Sequence, residues 1–136
     1  MLPSLGEEAS REWMICGKRI FVTGGAGFIA STLISRLADH NEITTFDNYS
    51  RNTLGGTPYD SHPNVHQVKG DVLDLDELMT AMKGAELVVH SAAIAGIETT
   101  VRSPVSTMRV NVLGTANALD AAHHTGSVER LSLIHI

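Results

Sequence analysis

The sequence predicts an α/β fold with a doubly wound parallel sheet, because short aliphatic segments alternate with helical patterns along most of the chain. Apolar residues make up 43% of the 136 residues and aromatic residues only 4%, a balance typical of aliphatic strands packed against small-residue helices. A glycine-rich turn follows the first aliphatic segment directly. Strands separated by helices pair in parallel through right-handed crossovers, and we expect that arrangement here.

Five short segments combine aliphatic and β-branched residues and are bounded by turn residues, as buried strands are. In chain order they are residues 19–23, 42–46, 65–68, 87–90 and a segment from Val128 onward. Residues 48–63 hold both Pro58 and Pro63 among several Asn, Gly and Ser residues, which predicts a long loop. Loops of this length are often functional.

Helices are predicted between these strands. Over residues 27–39 the apolar side chains recur every four residues and share one face; they are Ile29, Leu33 and Leu37. A second helix begins after Asp74, an N-cap with Glu77 three residues on. A third begins at Ser103 and Pro104, an N-cap followed by proline at the first helical position, and stops at Gly126.

Composition excludes several classes of function. The net charge of −5 gives no electrostatic reason for binding nucleic acid or an anionic membrane, and no apolar run is long enough to span a bilayer. The N-terminal residues lack the apolar region of a secretory signal. A single cysteine, Cys16, excludes an internal disulfide and fits a reducing compartment, so we expect a cytoplasmic protein.

The glycine-rich turn has the pattern G-x-x-G-x-x-A between a predicted strand and a predicted helix, formed by Gly24, Gly27 and Ala30. Gly24 permits a turn that a Cβ would obstruct, and Gly27 lets the backbone approach a pyrophosphate. The free N–H groups at the start of the helix would hold that anion. Ala30 is small enough for the helix to pack on the strand. Such a context on both sides is what a Rossmann-like dinucleotide-binding turn requires.

Asp47 is an independent indication of the same function. It closes the second predicted strand 20 residues after Gly27, where a carboxylate accepts hydrogen bonds from the hydroxyls of the adenosine ribose. A carboxylate there repels a 2′-phosphate and so favours NAD over NADP. Arg51 is a complication, because an arginine nearby can accommodate a 2′-phosphate. A solvated loop aspartate is the alternative reading of Asp47.

Five segments together resemble the extended short-chain dehydrogenase/reductase family, in particular its NAD-dependent nucleotide-sugar epimerase/dehydratase group. The resemblance covers residues 18–130. The segment HSAAIAG followed by Ser103 and Pro104 looks most like UDP-sugar 4-epimerases, although decarboxylases and dehydratases share these segments. The segments are TGGAGFIAS (23–31), FDNYSR (46–51), GDVLD (70–74), HSAAIAG (90–96) and NVLGTANALDAA (111–122).

The resemblance implies a role in NAD binding for each matching residue. The backbone of Phe28 and Ile29 would hold the pyrophosphate, and Asp47 and Asn48 would hold the adenosine ribose. Asp71 and Val72 would contact the adenine, and the small residues Ala92 and Ala93 would lie at the edge of the crevice. Asn111 would lie on the sheet-facing side of the next helix. Two alternatives stay open: Asp71 as a turn residue after the third strand, and Asn111 as a buried structural amide. His90 is expected to be structural, and His123 and His124 lack further ligands for a metal site.

The family's chemistry depends on a Tyr-x-x-x-Lys pair, in which the Tyr is the acid/base and the Lys lowers its pKa. Neither tyrosine of this chain fits, because Tyr49 is followed four residues later by Thr53 and Tyr59 by Pro63. We therefore expect no catalytic residue and no turnover in this chain. Residues 131–136, LSLIHI, match a translated sequencing adapter, so we expect a non-native extension there, with a real fifth strand as the alternative.

These observations predict three regions: an N-terminal tail over 1–17, a partial NAD-binding domain over 18–130 that is truncated at about strand five, and the extension over 131–136. The expected parent protein is a UDP-sugar 4-epimerase that oxidises its nucleotide-sugar substrate transiently with NAD. Dehydratases or decarboxylases of the same group, a non-catalytic NAD-binding regulator and an inert fragment are the alternatives. A homodimer through the helix over 104–123 is consistent with the family, but the sequence gives no separate sign of it.

Overall fold

Five parallel strands form one sheet in a computed structural model that describes residues 14–133. The strands are β1 (Arg19–Thr23), β2 (Glu42–Asp47), β3 (Val65–Lys69), β4 (Leu87–His90) and β5 (Arg130–Leu133). Their order across the sheet is β3-β2-β1-β4-β5. The chain therefore moves outward from β1 on one side and returns to start again at β4 on the other, which confirms the doubly wound Rossmann-like prediction.

Four helices connect the strands in the described part of the chain. They are α1 (Phe28–Leu37), α2 (Leu75–Met82), α3 (Ile97–Arg102) and α4 (Pro104–Thr125). Three of them confirm the predicted helices to within a few residues. Helix α3 was not predicted from the sequence; it has six residues, and none of them is buried. Without a buried face it has no apolar periodicity to detect.

The side chains of β1 alternate between two layers of core, because successive residues of a strand point to opposite faces. Ile20 and Val22 pack with α1 through Ala30 and Ile34. On the other face Phe21 packs with α2 and α4, among the side chains of Phe46, Leu78, Met82, Val88, Ala118 and Ala121. The sheet is thus covered by helices on both sides, as an all-parallel sheet requires.

The predicted helix ends are mostly confirmed. The Asp74 carboxylate accepts a hydrogen bond from the backbone N–H of Glu77 at 3.0 Å and caps α2. Gly126 ends α4 in the left-handed conformation, with φ +67°. Pro104 occupies the first turn of α4 as predicted, but the Ser103 side chain makes no capping hydrogen bond. Ser103 therefore occupies the N-cap position of α4, but its side chain does not bond to the first N–H groups of the helix.

The two ends of the chain were predicted to lie outside the domain. Residues 1–13 of the predicted tail and 134–136 of the predicted extension lie outside the described residues. Residues 131–133 do belong to β5, which pairs with β4 from Leu87 opposite Arg130 to His90 opposite Leu133. These three residues thus extend the sheet, while their non-native origin stays a prediction.

Candidate functional site

A cleft of about 540 Å³ opens at the carboxyl ends of the strands. The loops that follow β1, β2, β3 and β4 all contribute to its walls. Eight of the predicted site residues line it: Gly24, Gly27, Asp47, Asn48, Asp71, Val72, Ala92 and Ala93. In an open α/β sheet this is where ligands bind, because the chain turns in opposite directions on the two sides of the switch point.

The glycine turn forms the floor of the cleft. Gly24 has φ +66°, and a Cβ built there would lie 2.6 Å from the backbone nitrogen of Ala92. Its own N–H donates to the carbonyl of Phe46 at 2.8 Å. Position 24 therefore requires glycine for two reasons: its backbone is left-handed, and it lies in close contact with the loop after β4.

Helix α1 begins at this turn with its N–H groups free of side-chain caps. Gly27 is the N-cap residue, and the first turn contains no acidic residue. The side chains of Phe28 and Ile29 are 77% and 45% exposed and do not line the cleft. Their predicted role consequently rests on their backbone N–H groups alone, since the first N–H groups of a helix have no partner within it.

Asp47 ends β2 with both oxygens of its carboxylate held by backbone N–H groups. Oδ2 accepts from Ala26 in the glycine turn at 3.0 Å, and Oδ1 accepts from Tyr49 at 2.8 Å. A carboxylate offers about four acceptor positions, so those that remain are available to a ligand. The half-buried carboxylate is thus fixed beside the turn before any ligand arrives. Next to it, the Asn48 side chain accepts from the N–H of Ser50 at 2.9 Å.

Asp71 and Asn111 are the two predicted residues for which alternatives were open. Asp71 lines the cleft, and its carboxylate also accepts a hydrogen bond from the N–H of Leu73 at 2.9 Å. Both the turn role and the cleft role of Asp71 are therefore compatible with its position. Asn111 does not line the cleft. Its amide accepts from the N–H of Ile94 at 2.8 Å and donates to the carbonyl of Ile94 at 3.0 Å. These two bonds favour the structural reading of Asn111.

His90 is the last residue of β4 and is buried. Its Nδ1 lies 2.7 Å from the hydroxyl oxygen of Thr23, and its Nε2 lies 3.2 Å from that of Thr115. The ring therefore ties β1 to α4 across the sheet, in keeping with the structural role expected for it.

Two residues of the site, Gly25 and Thr53, were not among those predicted. A Cβ at Gly25 would lie 2.5 Å from the Cβ of Thr45, so this glycine is needed for the turn to lie against β2. The doubled glycine of the sequence was the available signal. Thr53 bonds to the glycine turn, and no local sequence pattern would have revealed this contact. Arg51, which the sequence had raised as a possible partner of a 2′-phosphate, does line the cleft.

Together the sheet, the glycine turn and the carboxylate at the end of β2 define a dinucleotide-binding domain. Residues 20–135 match the model of the NAD dependent epimerase/dehydratase family. The chain belongs to this family, as its resemblance predicted.

Relatives with different activities are similar to this chain. A putative UDP-glucose 4-epimerase from Methanocaldococcus jannaschii is 36% identical over 104 residues, which cover 74% of this chain and 32% of that protein. A dTDP-glucose 4,6-dehydratase from Streptomyces niveus is 33% identical over 125 residues, covering 84% of this chain and 37% of that protein. The chain thus spans about a third of the length of these relatives.

Among solved structures, a Thermus thermophilus UDP-glucose 4-epimerase in complex with NAD superposes with a TM-score of 0.71 and 33% identity. The superposition covers 83% of this chain and 36% of that one. NAD is the cofactor of the family, which confirms the predicted cofactor.

Between residues 14 and 133, no helix is long and apolar enough to cross a membrane and no group of three metal-ligating side chains is found.

Proposed function

We propose that this chain is the NAD-binding portion of a UDP-sugar 4-epimerase, an enzyme that oxidises the sugar transiently with its bound NAD and returns the hydride. The observation that carries the proposal is the bond from the Ala26 N–H to the Asp47 carboxylate. At 3.0 Å it joins the turn that would bind pyrophosphate to the group that would bind ribose.

The residues of the cleft would bind the dinucleotide in one orientation, with its adenine beside the loop after β3 and its nicotinamide half beside the end of β4. The pyrophosphate would accept hydrogen bonds from the N–H groups of Phe28 and Ile29, where the positive end of the α1 dipole favours an anion. The ribose hydroxyls would donate to Asp47. Asp71 would accept from the exocyclic amine of adenine, beside the apolar side chain of Val72. The small side chains at the end of β4, Ala92 and Ala93, would leave room for the nicotinamide half across the sheet edge.

The charges of the cleft favour NAD over NADP. Of the described residues that line it, Asp47 and Asp71 are anionic and Arg51 alone is cationic. The Asp47 carboxylate is held beside the turn and would repel a 2′-phosphate in the ribose position.

Substitution of Asp47 tests this assignment. We expect Asp47→Asn to weaken NAD binding about tenfold, since a hydrogen bond to a charged group contributes roughly 1.5–3 kcal/mol, and to narrow the preference over NADP. Calorimetric titration of both cofactors measures this, with Asp60→Asn in the same loop but outside the cleft as control. An unchanged ratio of the two affinities in Asp47→Asn would remove the ribose role.

The chemistry proposed for the whole enzyme needs an acid/base that this chain does not supply. Its only tyrosines are Tyr49 and Tyr59, and neither begins a Tyr-x-x-x-Lys pair. We therefore expect the 136-residue chain to bind NAD without interconverting UDP-glucose and UDP-galactose. A coupled assay for UDP-glucose formation checks this, and measurable turnover would show that another group acts as the base.

A dehydratase is the second candidate, because the relative from Streptomyces niveus matches a larger share of this chain at similar identity. The two functions differ in product: an epimerase returns an isomeric sugar, whereas a dehydratase releases water and leaves a keto-sugar. Mass spectrometry of the products formed by a full-length gene product containing this chain separates them by one water. If none of the nucleotide sugars is converted to a product, the result would favour the non-catalytic NAD-binding regulator.

We also propose that the parent protein forms a homodimer through α4. The solvent side of this helix carries a stripe of exposed apolar side chains, formed by Val105, Met108, Val112 and Leu119. Exposed apolar stripes of this kind mark protein interfaces. We expect Met108→Glu to lower the sedimentation-derived association constant, while Thr32→Glu on α1, across the sheet, leaves it unchanged. Equal association constants for the two variants would show that this face of α4 does not form the dimer interface.

A further inference from the structure

The loop after β2 holds the glycine turn through a single residue, Ala26. Ala26 lies between Gly24 and Gly27 and is only 1% exposed. Its carbonyl accepts two hydrogen bonds from one loop residue, Thr53: from the backbone N–H at 2.8 Å and from the hydroxyl at 2.9 Å. Its N–H donates to Asp47. Both backbone polar groups of this buried residue are thus satisfied by β2 and the loop that follows it.

Thr53 is itself held in place by its neighbour. Leu54 is fully buried in the core layer between α1 and the sheet, in the cluster that includes Val22 and Ile34. The loop therefore has an apolar anchor one residue away from the two donors. Because Leu54 fixes the backbone here, the Thr53 N–H and hydroxyl meet the Ala26 carbonyl without ordering a free chain.

We propose that Thr53 is a positioning residue for the dinucleotide, which it does not touch itself. The Ala26 carbonyl shares a peptide unit with the Gly27 N–H, which donates to the Gly24 carbonyl at 2.9 Å. By fixing the plane of this peptide, Thr53 restrains the Ala26 backbone dihedral angles that link it to the preceding peptide, whose N–H holds the Asp47 carboxylate. The inference rests on the proposed NAD-binding function. It gives Thr53, which does not line the cleft, a role in cofactor affinity.

Substitution of the Thr53 hydroxyl tests the proposal. Thr53→Val keeps the shape and removes one of two donors, so we expect NAD to bind about fivefold more weakly, as loss of one neutral hydrogen bond implies. Thr53→Ser keeps the hydroxyl and should bind within twofold of the parent chain. Thr57→Val is the matched control, because the Thr57 hydroxyl donates at 2.6 Å to the Leu54 carbonyl in the same loop and not to the turn.

A double-mutant cycle separates positioning from a general structural effect. If Thr53 acts through Ala26 on Asp47, then Thr53→Val should change NAD affinity less than twofold in an Asp47→Asn background. Full fivefold additivity, or equal losses in Thr53→Val and Thr57→Val, would overturn the proposal.

Two further results are distinguishable from these. Failure of the parent chain to bind NAD would remove the proposed function, whereas NAD binding unchanged by Thr53→Val would remove only this inference. Should Thr53→Val not fold, Thr53→Ala is titrated instead. Unfolding of both while Thr57→Val folds would assign Thr53 to folding and would likewise overturn the proposal.

Discussion

Two residues, Gly24 and Asp47, support most of the site. Gly24 brings the turn within contact of the loop after β4, and Asp47 connects the turn to β2. Both were predicted from the sequence, because their requirements are local: a turn that excludes a Cβ, and a carboxylate at the end of a strand. Asn111 was harder to interpret, since its partner Ile94 lies 17 residues away and no local pattern joins them.

The requirement for glycine at position 24 has a measurable consequence. We expect Gly24→Ala to lower the free energy of unfolding by about 1–2 kcal/mol for the left-handed backbone. The collision of the new Cβ with the loop after β4 should cost a further ~1–3 kcal/mol. Urea denaturation followed by circular dichroism measures the total.

Gly56 is the matched control for this substitution. It has φ +78° with no atom within 4 Å of a built Cβ, so Gly56→Ala should show the backbone cost alone. Equal losses for the two variants would mean that the contact between Gly24 and Ala92 is not close in solution.

At the scale of elements, the strands and the long helices were predictable because each has a buried face with its own period. The short α3 was not, since none of its residues is buried. The loop over 48–63 was predicted as a loop, but its attachment to the core by Leu54 and to the turn by Thr53 depends on contacts with distant residues. Tertiary partners of this kind have no signature in a local window of sequence.

The amino ends of β1, β4 and β5 are joined by a cluster of charges. Glu86 accepts from the Arg19 backbone N–H at 3.0 Å and pairs with Arg19 and Lys18, which also pairs with Glu129. The N–H and side chain of Arg19 hold the pKa of Glu86 below its usual 4.5, with a smaller effect from Lys18.

The lowered pKa of Glu86 predicts the pH at which its contribution is lost. Because the folded chain holds this carboxylate in its charged form, the stabilisation is present above pH 4.5 and disappears as the pH falls below it. We expect Glu86→Gln to be less stable than the parent chain at neutral pH and to approach it in acid. Thermal melts at several pH values measure this.

Glu98→Gln provides the comparison for Glu86→Gln. Glu98 pairs with Arg102 on α3, where both side chains are 76% exposed, and such pairs contribute little to stability. Its substitution should leave the melting temperature nearly unchanged at every pH. A constant difference between Glu86→Gln and the parent chain across the acid range would contradict the assigned pKa shift.

For the whole molecule, the family and the fold were predictable because five matching segments occur in order along one chain. The substrate was not, since the match covers about a third of each relative and includes both an epimerase and a dehydratase. What the described chain supplies is the cleft at the switch point, with its turn, its carboxylates and its small residues at the end of β4.

NAD binding in this cleft is the central claim, and an NMR titration of the 15N-labelled chain with NAD tests it most directly. We predict saturable shifts concentrated on the amides of residues 24–29, 47–48, 71–72 and 92–93, together with a rise in stability of about 2.7 kcal/mol at 100 times the dissociation constant. No saturable shift at millimolar NAD, or shifts confined to residues outside the cleft, would contradict the account.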